Sequence, residues 1–196
     1  ESETNDSALH DDVALLYMEL GQPNQAANHF AAALRLRPDS ATARFNLGTA
    51  LSAAGKIDEA IARYRDALQI DPGYTVAHNN LGNLLLTQGA LDEAGRHLQA
   101  AVDTNPDYVQ ALNNLAYVLI ETNQHAEAIE HATNAIRLNP NYAVARFNLA
   151  RALISTGKVS EAVAELRRVL ELQPDFTGAA LELAWLLATH PNGEIR

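Results

Sequence analysis

Cysteine is absent from the 196 residues, which excludes disulfide staples, thiol catalysis and Cys-ligated metal sites. That absence does not identify a compartment, so localisation stays open. Positive charge is also scarce, with 14 lysines and arginines against 24 aspartates and glutamates and a net charge of -10. No run of Lys and Arg forms a local exception. Nucleic-acid backbones and anionic membrane surfaces are therefore repelled, and neither is expected as a partner. No stretch approaches the roughly 18 apolar residues of a membrane span, so no membrane insertion is expected of this segment. Residues 1–6 are polar and acidic and read as an N-terminal tail. There is no His-x-x-x-His with a neighbouring Glu, and no glycine-rich phosphate loop.

What the chain does have is a period. Proline recurs at positions 38, 72, 106, 140 and 174, every 34 residues, and much of the sequence between repeats in step. Each unit reads as a helix, a short turn, a second helix and a break at the proline. In the second unit the helices are placed at 41–54 and from about 58 to 70. Leu47, Ala50, Leu51 and Ala54 mark one apolar face, and Ala60, Ile61, Tyr64, Ala67 and Leu68 the other. Gly21, Gly55, Gly89 and Gly157 follow the first helices, with Asn123 in the fourth unit, where a left-handed residue ends a helix. Asp58 and Asp92 are expected to cap second helices. Ala26, Ala60, Ala94, Ala128 and Ala162 share one register. The facing register holds Ala14, Gly48, Gly82, Ala116, Ala150 and Ala184. Small residues on both sides let two helices approach closely.

This pattern resembles the tetratricopeptide repeat, a 34-residue helix-turn-helix. The third unit shows Leu81, Gly82, Leu85, Ala94, Leu98, Ala101 and Pro106, and the second Leu47, Gly48, Leu51, Ala60, Tyr64, Ala67 and Pro72. The family's usual tryptophan near the start of the first helix is replaced by Arg44, His78, Leu112 and Arg146. The resemblance implies an all-α, right-handed superhelical solenoid of antiparallel helix pairs. Five repeats fit, at 7–40, 41–74, 75–108, 109–142 and 143–176, with an extra helix at 177–190 and a tail at 191–196. Residues 7–190 are read as a single solenoid domain. In that family the first helices line a concave groove that holds a protein or peptide.

On the groove side, Asn46, Asn80, Asn114 and Asn148 are spaced by 34, with Asn79 and Asn113 one residue earlier and Asn83 one turn on. An amide both donates and accepts, so a ladder of them matches the main chain of an extended peptide. The same amides equally suit bonds between adjacent helices. Asp12 and Glu182 end the ladder. The ladder is similar to one in the repeat region of the O-linked N-acetylglucosamine transferases, where asparagines grip substrate backbone. That resemblance implies at most a substrate-recruiting part of a larger enzyme. A carboxylate clamp of lysines is not present, because its registers hold Asp11, Phe45, Asn79, Asn113 and Phe147. Phe45, Phe147 and Tyr117 are candidate apolar pockets and Arg151 a candidate carboxylate donor, although Phe45 and Phe147 equally suit packing between repeats.

The seven histidines read as surface residues. His97 and His131 share a register but stand a repeat apart, about 10 Å, too far for common ligation. No metal, cofactor or catalytic constellation is expected, and the chain is read as non-enzymatic. Ala180, Leu183, Ala184 and Leu187 extend the packing face of the last helix, beside Trp185, and Pro191 is expected to stop it. The segment 183–196 resembles one found inside long bacterial tetratricopeptide proteins, which implies a bacterial fragment. The leading expectation is a scaffold for an extended peptide. The alternatives are self-association or assembly through the solenoid ends or the convex face, with a homo-oligomer formed through the uncapped last helix, and recruitment for a larger enzyme such as a glycosyltransferase.

Overall fold

The computed structural model describes residues 2–189, with side chains from Asp6 onward. The described residues form eleven α-helices and no strand. They are α1 (Ser2–Glu19), α2 (Pro23–Leu36), α3 (Ala41–Ala53), α4 (Ile57–Ile70), α5 (Thr75–Thr87), α6 (Leu91–Thr104), α7 (Val109–Glu121), α8 (His125–Leu138), α9 (Ala143–Ser155), α10 (Val159–Leu172) and α11 (Thr177–Thr189). The chain divides into two compact units, residues 1–89 and 90–196. The first holds α1 to α5 and the second α6 to α11, so the division falls inside the third repeat. Helix α1 begins at Ser2, within the stretch read as a tail. Pro191 and the segment 191–196 lie outside the described residues.

Within each unit, consecutive helices pack on one another and the short turns make them antiparallel. The turn inside a repeat is a Schellman closure. The N–H of Lys56 donates to the Leu51 carbonyl at 2.9 Å and that of Gly55 to Ser52 at 3.0 Å. This closure needs a left-handed residue: Gly55 has φ +77° and Asn123, in the same register, +61°. The turn between repeats uses a device not read from the sequence. Asp71, Asn105 and Asn139, each just before a proline, accept the N–H two residues on through the side-chain oxygen at 3.1, 3.2 and 3.3 Å.

The residues standing where the family has tryptophan secure the same turn from the next helix. Arg44 donates to the Pro38 carbonyl and His78 Nε2 to that of Pro72 at 3.0 Å. Arg146 donates twice to Pro140, at 3.0 and 2.9 Å, and pairs with Glu165 at 2.6 Å. Leu112 in this register is buried instead.

Asp58 and Asp92 do not cap. The N-cap positions are Lys56 and Ala90, and the aspartates sit in the first turn, where they favour the helix through its dipole. The small-residue registers do close the crossings. Ala14, Ala26, Ala60, Ala116, Ala128, Ala150 and Ala162 are all fully buried. At Gly48 a Cβ would lie 2.9 Å from two ring carbons of Tyr64, so any side chain there would force the α3–α4 crossing to shift. On α11 the pattern changes. Ala179 and Leu186 are buried, while Ala180 and Ala184, expected on the packing face, are exposed because no described second helix covers them.

Candidate functional site

In the first unit, α3 and α5 carry Phe45, Asn46, Thr49, Asn80 and Asn83. Buried Tyr64 reaches between them from α4. Its hydroxyl lies 3.3 Å from Thr49 Oγ1 and is also hydrogen-bonded by Asn80. Burial pushes the Tyr64 phenol above its ordinary pKa, and these two bonds pull it partly back. Thr49, Tyr64, Asn80 and Asn83 line a hollow of about 290 Å³. Asn79 is buried and donates to Asn80 Oδ1 at 3.2 Å. Asn46 is half-buried and Asn83 exposed. Phe45 sits in an aromatic cluster, 5.6 Å from the Tyr64 ring and 5.0 Å from that of Tyr74, which is the packing alternative for that residue.

In the second unit the amides form a chain between helices. Asn148 Nδ2 donates to Asn113 Oδ1 at 3.0 Å, and Asn113 Nδ2 donates to Asn114 Oδ1 at 3.2 Å. Asn113 and Asn148 are each only 4% exposed. The partner of Asn148 is thus Asn113, one residue off the register of the expected ladder. This diagonal link ties α9 to α7 and leaves Asn114 half-buried at its edge.

Beyond the amides the surface turns aromatic. Tyr117 is exposed and the Arg151 guanidinium stands 5.8 Å from its ring centroid, while Arg151 also donates to Glu121 at 2.9 Å. Phe147 packs on Phe176 at 5.0 Å between centroids, and Gly178 leaves it room, since a Cβ there would lie 3.2 Å from the Phe147 ring. Phe147, Ile154, Leu181 and Trp185 line an open hollow of about 610 Å³. Leu181 is 67% and Trp185 54% exposed. Neither was among the sequence candidates, yet each stands 34 residues after one of them, Phe147 and Arg151. The period itself was the signal.

The histidines are less uniformly superficial than expected. His29 is half-buried, its ring 5.4 Å from that of Tyr17 and its Nδ1 3.1 Å from that of His10. His131 has a buried Nδ1 without a hydrogen-bond partner, and burial lowers its pKa against the raising influence of Glu130, Glu127 and Asp103. Among the described residues no three His, Asp or Glu side chains are grouped to hold a metal. Nor is any helix among them long and apolar enough to cross a membrane.

Antiparallel helix pairs repeated at 34 residues define a helical-repeat protein. The tetratricopeptide repeat signature matches residues 13–75, and again 51–115, 85–132 and 119–186. The chain belongs to the tetratricopeptide repeat family, whose members act as scaffolds for protein–protein interaction. Solved structures with the same fold include YrrB, described as a tetratricopeptide protein with an unusual peptide-binding site, at 21% identity and TM-score 0.78, covering 93% of each chain. MamA from Desulfovibrio magneticus RS-1 is similar at 20% identity and TM-score 0.78, over 87% of this chain and 97% of that one. A tetratricopeptide protein from Parabacteroides merdae matches at 19% identity and TM-score 0.80, over 95% and 74%. No match is found among curated protein sequences.

Proposed function

We propose that the chain is a non-catalytic scaffold that holds an extended peptide in the concave groove expected of its first helices. The observation that carries this reading is the surface of α7, α9 and α11. There an exposed tyrosine, an arginine over its ring and a hollow of about 610 Å³ with Trp185 on its wall lie along one register. Exposed aromatic and arginine side chains beside an apolar hollow are the usual anchors of peptide recognition. Asn46, Asn80, Asn83 and Asn114 are the amides with accessible surface to meet a peptide main chain. The buried Asn113 and Asn148 serve it indirectly by tying α7 to α9, and buried Asn79 by bonding the Asn80 amide. The peptide-binding fold neighbour YrrB supports the reading by analogy.

Affinity selection from a random-peptide library, run beside a Tyr117→Ala/Arg151→Ala variant, tests it. Peptides enriched by the parent and lost by the folded variant are the expected result; equal enrichment by both would sink the assignment to this surface.

One observation favours self-association as a second reading. Helix α11 leaves Ala184, Leu181 and Trp185 exposed, an apolar face without a cover among the described residues. A mass above the monomer that falls to the monomer value in Ala184→Arg would support this reading. A monomeric parent removes it.

A further inference from the structure

The second helices share a register whose occupants are Ala27, Ile61, Gly95, Ile129 and Val163. Gly95 is the one position of the five without a side chain, and it lies in the interior of α6. Glycine there weakens a helix by roughly 0.5–1 kcal/mol relative to alanine. Its absent side chain opens a hollow of about 560 Å³ between α6 and α8, with Leu115, Val118 and Leu119 of α7 on the lining. Val118 fills part of the space, since a Cβ on Gly95 would lie 3.3 Å from Val118 Cγ1. A corresponding hollow of about 530 Å³ lies in the first unit at Ala27, the next smallest occupant of the register. Residue size in one register thus accounts for both openings.

Charge separates the two. At the Ala27 hollow, Lys56 and Arg63 stand against Asp58 and Glu59, so the rim is balanced. At the Gly95 hollow the rim holds Asp92, Asp103 and Glu127 with Arg96 as its one cation. Asp103 accepts a hydrogen bond from Gln99 at 2.7 Å. Just beside this rim, His131 feels the carboxylates of Glu130, Glu127 and Asp103 together, which marks a negative local field. An apolar floor within an acidic rim fits one kind of occupant.

We propose that the α6–α8 hollow is a second docking surface, opened by Gly95, for a basic polypeptide segment that seats an apolar side chain on Val118 and Leu119 and sets lysine or arginine against Asp92, Asp103 and Glu127. It is built from different side chains from the Tyr117–Arg151–Trp185 surface and does not depend on it.

The test uses the same random-peptide library with the parent and three variant baits. Gly95→Ile installs the residue that Ile61 and Ile129 carry in this register, and Asp92→Lys/Glu127→Lys reverses the exposed rim without touching the floor. Tyr117→Ala/Arg151→Ala is the third, with circular dichroism confirming each fold. The expected result is a class of basic peptides with an apolar residue, retained by Tyr117→Ala/Arg151→Ala and weakened at least about tenfold, or 1.4 kcal/mol, by the rim reversal. Gly95→Ile, where folded, weakens them equally. Their binding also falls as salt is raised from 50 to 300 mM, as screening of exposed charges requires. Three results would each overturn the proposal: no such class, a class indifferent to the rim reversal, or one lost with Tyr117 and Arg151. A parent self-association abolished by the rim reversal would replace the basic segment with a second copy of the chain.

Discussion

Replacing Asn148 by alanine removes the donor that reaches Asn113 Oδ1 at 3.0 Å from the neighbouring repeat. Both residues are 4% exposed, so water does not readily take the lost place. A buried acceptor left without its donor costs about 1–3 kcal/mol. We expect Asn148→Ala to lower stability by about 2 kcal/mol, which for a urea m-value near 2 kcal/mol/M moves the midpoint down by about 1 M. The Asn113→Ala/Asn148→Ala pair then removes both sides of the bond. The second substitution should cost about 1 kcal/mol less than it does alone, a coupling typical of residues in one hydrogen-bonded network. Urea unfolding followed by far-UV circular dichroism gives all four corners of the cycle. Asn83→Ala, at an exposed amide, is the control and should stay within about 0.5 kcal/mol. Additive effects, or a cost for Asn148→Ala no larger than that of Asn83→Ala, would refute the claim that these amides join the repeats.

Gly48→Ala should destabilise by about 1–2 kcal/mol despite alanine's better helix propensity, because its Cβ meets the buried Tyr64 ring at 2.9 Å; a thermal melt reads this directly. Gly55→Ala has open space around it but φ +77°, so its cost is backbone strain alone, about 1 kcal/mol; an unchanged urea midpoint would contradict the left-handed turn. Burial holds the folded pKa of His131 below the ordinary histidine value of 6.5, so the unfolded chain binds the proton more tightly. Its contribution to stability is therefore full above about pH 6.5, declines as pH falls, and levels off below the lowered folded pKa. His131→Gln should flatten that part of the stability–pH curve relative to the parent, and parallel curves would show that burial does not perturb this imidazole.

The repeat was legible because local requirements recur. A left-handed residue ends each first helix, a proline follows each second helix, and small residues meet at each crossing. Asn123 could be placed as a glycine substitute from period alone, and its φ of +61° agrees. The amides were harder. Asn79 and Asn80, or Asn113 and Asn114, are successive residues about 100° apart on a helix, and both positions recur at 34 in the central repeats. Periodicity selects them as a pair but does not say which turns into the seam between helices. That depends on the neighbour, such as Asn148 for Asn113 or Tyr64 for Asn80. The turn bonds of Arg44, His78 and Arg146 were hidden for a similar reason. The register was visible as a departure from the family's tryptophan, yet its use depends on a carbonyl six residues back. The sequence places Trp185 beside the packing face, and it is exposed because no described helix lies over α11.

Trp185 is the chain's one tryptophan and stands on the wall of the proposed peptide hollow, so its emission reports occupancy directly. The decisive measurement is a fluorescence titration of the protein with the peptide most enriched from the library, in the parent and in Tyr117→Ala/Arg151→Ala. A saturable shift of Trp185 emission, weakened at least about tenfold in the variant, is the result expected of a groove-side peptide scaffold. Tight binding that leaves Trp185 emission unchanged, or that the variant retains in full, would contradict it.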